Sequence, residues 1–185
     1  MRYIDLHCDT LTESLKSGES FMGGALQSSA EKLKKSGCAV QCFAIFTQGA
    51  QAAAFFDKSL NYYRNMLDLS VNNLVSADTA DGLSACINGG KTGAILTVEN
   101  LGFLQGDTDK LYALKKAGVK MASLVWNYEN EFACPNVVFK DGIPQFEKRE
   151  RRGLKPKGRE AVEILDGLKI IIDISHLSDG GAEEI

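Results

Sequence analysis

Ala39-Val40-Gln41-Cys42-Phe43-Ala44-Ile45-Phe46 is the stretch on which the fold turns. Apart from Gln41 it is apolar throughout. A run without polar alternation belongs to a strand covered on both faces, as in parallel sheets. Its flanks read as helices. Residues 29–36 look helical, with Gly37 as the stop. Residues 50–74 place Phe55, Phe56, Leu60, Tyr63, Met66, Leu67 and Leu74 near helical spacing.

The same alternation runs along the chain. Strands are expected at residues 3–7, 39–46, 93–98, 119–125 and 168–174. Further helices are expected at 80–87, where Thr79 or Asp78 caps the start and Gly89-Gly90 ends it. Another runs from Asp107 or Thr108 to the stop at Gly118, and one runs from Pro156, in its first turn, to about Asp166. Residues 127–152 have few periodic apolar positions and read as a long loop, and long loops are often functional. After residue 174 a loop and the start of a helix are expected. Strands alternating with helices imply right-handed parallel βαβ units. With no Gly/Ser linker, residues 1–185 read as one domain. An open doubly wound sheet and part of a (β/α)8 barrel both fit.

The bulk numbers exclude several classes. A chain of 185 residues can bury a sizeable core. Its 44% hydrophobic and 24% charged residues are ordinary for a globular protein. A net charge of -3 gives no footprint for nucleic acid. The basic run from Lys148 to Lys157 is diluted by Glu150 and preceded by Glu147, and reads as a solvated loop. No signal-peptide h-region follows the N-terminus, and no apolar stretch approaches the roughly 18 residues of a membrane span. Cys8, Cys38, Cys42, Cys86 and Cys134 are odd in number and form no CxxC pair. They read as free thiols in a reducing compartment, so a cytoplasmic location is expected.

Reactive groups of parallel α/β folds gather at the C-terminal ends of strands. His7 and Asp9 end the first expected strand, Glu99 the third, Trp126 and Asn127 the fourth, and His176 the fifth. Both histidines of the chain thus fall at strand ends on one rim. Side chains at i and i+2 share a face, so His7 and Asp9 project together and Cys8 points away as a small buried residue. Asp5 shares their face and is a candidate to orient the His7 ring. Imidazole nitrogen with carboxylate oxygen suits a divalent transition metal such as zinc. A His-x-Asp pair taken alone is equally the polar end of a strand, Glu99 equally a turn cap, and His176 equally a hydrogen-bonded rim residue. Trp126 reads as a packing residue or pocket wall, and Asp173 as structural.

Taken together, these residues resemble the renal (membrane) dipeptidase family of zinc metallopeptidases over nearly the whole chain. The resemblance rests on Ile4-Asp5-Leu6-His7-Cys8-Asp9, on Ile95-Leu96-Thr97-Val98-Glu99, and on Ser123-Leu124-Val125-Trp126-Asn127 with Asn130 downstream. Its most specific part is residues 153–160, GLKPKGRE, leading to residues 172–178, IDISHLS. The resemblance implies a partial (β/α)8 TIM barrel, about the first five βα units, and a dipeptidase that uses a metal-activated water. It implies His7 and Asp9 as ligands of one zinc, Glu99 as the carboxylate bridging two zincs, and His176 as a ligand of the second. It implies Trp126 and Asn127 as substrate-facing residues. Dipeptides, some with a D-residue on the C-terminal side, are the substrates it implies.

Two departures stand out. Many members carry a substrate-facing His where this chain has Trp126, which implies altered specificity. Lys155 replaces the usual Thr or Ser before Pro156, weakening a helix cap worth about 1 kcal/mol. Length is the larger point, since a full barrel takes about 250 residues. The family's further zinc-ligating histidine, substrate-binding Arg and catalytic Asp fall beyond the fifth strand, so the second zinc site is expected to be incomplete. The chain is read as an N-terminal fragment, inactive alone, with bare edge strands that could support a homo-oligomer. Another metal-dependent hydrolase of the amidohydrolase type, or a non-catalytic degenerate fragment, is the alternative.

Overall fold

A computed structural model describes residues 2–146 and 151–185. The chain forms two compact units. The first comprises Met1–Phe46 with Ala54–Thr97, and the second Thr47–Ala53 with Val98–Ile185.

In the first unit, β1 (Tyr3–Asp5) runs parallel to β2 (Cys38–Phe46), pairing Ile4 with Val40 and Asp5 with Gln41. The strand β4 (Thr92–Glu99) lies on the other side of β2, and β3 (Leu74–Ser76) pairs parallel with the start of β4. The last two residues of β4 count with the second unit. As its composition requires, β2 is buried at every position but the last. Around it lie α1 (Thr10–Ser17), α2 (Ala30–Ser36), α3 (Ala52–Leu69) and α4 (Ala80–Asn88). Ala39, Val40, Ala77 and Cys86 form one buried cluster, with Val75, Leu83 and Ile95 packed against it. Phe43 meets Phe21 edge-on at 5.7 Å between ring centroids.

Local chemistry sets the helix ends. Ser29 accepts from Lys32 N–H, and Thr79 accepts from Gly82 N–H at 3.0 Å, which satisfies donors the first turn leaves orphaned. Gly37 closes α2 in the left-handed region, at φ 77°. The C-terminal end of α4 is gripped by Arg2, whose guanidinium donates to the carbonyls of Cys86 (2.5 Å), Gly89 and Lys91 (2.9 Å). A cation at these exposed carbonyls complements the helix dipole.

The second unit holds α5 (Leu111–Ala117), β5 (Met121–Ser123), β6 (Val137–Lys140), β7 (Ile143–Phe146), α6 (Pro156–Gly167), β8 (Ile171–Asp173) and α7 (Asp179–Glu183). β5 and β8 pair parallel, Ala122 opposite Ile172. Leu111, Leu114, Val119, Leu124, Phe132, Ala161 and Leu165 are buried here.

Several expectations are corrected. The first strand stops at Asp5, short of His7. The long helix stops at Leu69, and its expected tail becomes a turn and β3. α1 was not expected at all. Residues 127–152 are not a plain loop, because β6 and β7 form an antiparallel hairpin there. Its turn, Asp141-Gly142, has φ of 51° and 76°, the Asp-Gly pattern that matches the twist of a two-residue hairpin. Of the basic run, Lys148 and its neighbours through Glu150 lie outside the described residues. Arg151, Arg152, Lys155 and Lys157 are each paired with a glutamate.

Candidate metal centre

His7 and Asp9 lie in the first unit beyond the end of β1. The chain between them is nevertheless held like a strand. Cys8 N–H donates to the Cys42 carbonyl at 3.1 Å, and the Cys8 carbonyl accepts from Ala44 N–H at 3.0 Å. This bridge to β2 preserves the alternation, so His7 and Asp9 fall on one side. His7 Nε2 lies 3.5 Å from Asp9 Oδ2. The His7 ring holds the Asp9 carboxyl below its ordinary value, against the opposing effect of partial burial. Asp5 Oδ1 accepts from the His7 backbone N–H at 3.2 Å, which ties the turn after β1. Cys8 is half-buried, and burial pushes its thiol up to about 11. A cleft of about 700 Å³ opens beside the pair, lined by Asp5, His7, Cys8, Asp9, Thr10 and Glu13 among others.

Glu99 and His176 belong to the second unit and meet there. His176 Nε2 is 2.9 Å from Glu99 Oε1. Glu99 is 8% exposed, and a carboxylate so buried demands a cationic or hydrogen-bonding partner. The turn after it is closely held. Asn100, at φ 73°, donates its N–H to Ser123 Oγ at 3.0 Å and its Nδ2–H to the Thr47 carbonyl at 2.7 Å. Its Oδ1 accepts from Gly102 N–H at 3.0 Å and from Asn130 Nδ2 at 3.2 Å. The Glu99 carbonyl accepts from Thr47 N–H at 3.2 Å.

His176 follows β8 by three residues and is fixed by the segment before the hairpin. Asn136 N–H donates to the His176 carbonyl at 3.0 Å, and Ser178 N–H donates to the Cys134 carbonyl at 3.1 Å. The His176 Nδ1 lies 3.2 Å from Asn127 Oδ1. The half-buried ring of Trp126 stands 6.2 Å from that of His176, tilted by 54°. Tyr128 stacks on Phe139 of β6 at 4.8 Å. Asp173 is structural, as expected: its Oδ1 accepts from Ser175 N–H at 2.9 Å and from Ser175 Oγ.

Both pairs fit a metal by donor chemistry and spacing. Two donors about 2.0–2.1 Å from one tetrahedral zinc stand about 3.3 Å apart. The 3.5 Å and 2.9 Å separations bracket that value. Asn130 enters the sequence reading through the family resemblance, whereas Asn100, Asn136 and Thr47 carry no sequence signal of their supporting roles.

Histidine–carboxylate pairs just past the strands of a parallel α/β sheet are the layout of metal-centred barrel proteins. A sequence model of the membrane dipeptidase family (peptidase family M19) matches residues 1–185, and the chain belongs to that family. An uncharacterized dipeptidase of Schizosaccharomyces pombe is 34% identical over 83 residues, 45% of this chain and 18% of that protein. The crystal structure of dipeptidase AC, a family M19 metallopeptidase, matches 100% of this chain and 59% of its own at 21% identity and a TM-score of 0.84. A metallopeptidase from Rhodobacter sphaeroides, bound to a phosphinate mimic of the dipeptide L-Ala-D-Ala, matches 100% of this chain and 61% of its own. That match has 20% identity and a TM-score of 0.82. The fold is therefore the α/β half-barrel expected from the sequence. The chain spans about three fifths of these two solved chains and less than a fifth of the yeast relative.

Proposed function

We propose that this chain carries the metal-binding part of a zinc-dependent dipeptidase, with residues 1–185 forming one incomplete barrel domain. The carrying observation is the buried Glu99 carboxylate with His176 Nε2 at 2.9 Å, in a chain of the membrane dipeptidase family. His7 and Asp9 would hold zinc in the first unit, and Glu99 with His176 would hold zinc in the second. When bound, zinc supplies Lewis-acid polarisation of a carbonyl and a water of lowered pKa. The protein's part is to hold Glu99 and His176 rigidly, through Asn100 and Asn136, and to present Trp126 and Asn127 to substrate. Dipeptides are the proposed substrates, including those with a C-terminal D-residue, and the R. sphaeroides relative bound to an L-Ala-D-Ala mimic supports that class.

The two histidines give the second zinc one imidazole. The 185-residue chain is therefore proposed to bind metal but not to turn over dipeptides. No helix among the described residues is long and apolar enough to cross a membrane. The five free cysteines favour a reducing, cytoplasmic setting.

Zinc content of the purified chain tests this reading. We expect bound zinc in the wild type, and its loss in His7→Ala, Glu99→Gln and His176→Ala variants that keep their circular dichroism. Zinc content unchanged in all three variants would refute the metal centre. Zinc-dependent dipeptide hydrolysis by the chain alone would refute its proposed inactivity.

A further inference from the structure

We propose that Asn127 is the positioning residue of His176: its amide oxygen accepts the Nδ1 proton and so presents Nε2 as the metal donor. This rests on the metal reading above and adds a role to a residue otherwise assigned to substrate. Three observations carry it, all within the second unit. Asn127 Oδ1 is 3.2 Å from His176 Nδ1, on the opposite side of the ring from Glu99, which lies 2.9 Å from Nε2. The His176 backbone is already pinned through its carbonyl by Asn136 N–H. The Trp126 ring stands beside the imidazole, 6.2 Å away between centroids and tilted at 54°. What remains undetermined by these restraints is which ring nitrogen carries the proton.

A neutral imidazole has one N–H and one lone pair. Two acceptors, a carboxylate and an amide oxygen, compete for that proton. With it at Nδ1, directed to Asn127, the Nε2 lone pair faces the Glu99 side, where a cation is needed. Ligating histidines generally donate their other N–H to such a partner, and losing it typically costs 10–100-fold in metal affinity. Asn127 supplies the acceptor without adding negative charge beside the buried Glu99. An aspartate there would accept equally well, whereas a leucine of similar shape would not accept at all.

The test compares the full 185-residue chain with its Asn127→Leu and Asn127→Asp variants. Zinc affinity is read by competition with a chromophoric chelator. The His176 ring is read by 15N–1H NMR with and without zinc, and His7→Gln serves to assign the two rings. We expect Asn127→Leu to lose 10–100-fold in zinc affinity and to lose a protected Nδ1–H signal, while Asn127→Asp keeps both. An Asn127→Leu chain with wild-type zinc affinity and an unchanged Nδ1–H signal would overturn the proposal. So would a wild-type chain whose His176 Nδ1 carries no proton, a measurement that stands if Asn127→Leu does not fold. If the wild type bound no zinc, the metal reading would fail, and the Nδ1–H signal would still decide whether Asn127 positions the ring.

Discussion

Asn100 shows how much of this site is built by hydrogen bonds around its candidate donors rather than by the donors themselves. It holds a left-handed backbone, φ 73° and ψ 101°, directly after the buried Glu99. A non-glycine residue there costs about 1–3 kcal/mol of strain. Its amide group accepts from Gly102 and Asn130 and donates to Thr47, which offsets that cost. Asn100→Ala keeps the strain and removes the side-chain bonds, so we expect a loss of about 2–4 kcal/mol in urea unfolding. Asn100→Gly removes the bonds and the strain together, and its loss should be about half as large. Equal losses would show that strain has no part. The candidate donors His7, Asp9, Glu99 and His176 can be named from the sequence, because few residue types serve as metal donors, and the structure sets them in two histidine–carboxylate pairs. Their supports cannot. Asn100 and Asn136 act through hydrogen bonds to backbone groups brought close by folding, and such pairings leave no local pattern. Asp5 shows the same. Parity groups it with His7, and in the structure its Oδ1 accepts the His7 backbone N–H, a bond no sequence pattern announces.

Among the elements, the parts with strong periodicity were legible. The apolar β2, the glycine-stopped α2, the Thr79-capped α4 and the Pro-led α6 all stand where the sequence places them. The strands at 119–125 and 168–174 shortened to three residues each. Apolar density marks burial, whereas a strand also needs a partner along its whole length. The hairpin of β6 and β7 was hidden because its partners are each other and its faces are largely exposed. Ion pairs tie the segment ahead of the hairpin to the approach to α6. Glu129 lies 2.7 Å from Lys155 Nζ and 3.0 Å from Arg152, ahead of α6. The Lys155 ammonium, joined by Arg152, holds the Glu129 carboxyl below its ordinary 4.5. A carboxylate whose folded value is depressed adds stability above its unfolded value, and that stability is lost as pH falls through the folded value. The wild type should therefore melt above Glu129→Gln at pH 7. The gap should close on acidification from about pH 5 downward, and narrow with added salt because the group is 40% exposed. A gap in melting temperature that holds constant from pH 7 to pH 3 would rule out this origin.

For the molecule as a whole, the consequence lies in two strands, β1 and β8, that have a single strand neighbour among the described residues. β1 pairs with β2, and β8 pairs with β5. Both leave large apolar side chains in solvent: Tyr3, Ile4 and Leu6 at the first, Ile171 and Ile174 at the second, with Leu6 62% and Ile171 64% exposed. The two solved dipeptidase chains are longer than this one, which matches about three fifths of each. An exposed apolar strand edge offers unpaired backbone groups and buries cheaply against another chain. We therefore expect the purified 185-residue chain to self-associate with rising concentration in sedimentation velocity. A lysine placed on such an edge opposes pairing, because its charge would have to be desolvated. Ile171→Lys and Ile4→Lys should each shift the distribution toward monomer, and the double variant should shift it further. Both side chains are exposed, so circular dichroism and the urea midpoint should stay near wild type. If the double variant associates as strongly as the wild type while remaining folded, association runs through another surface and these edges are not its cause.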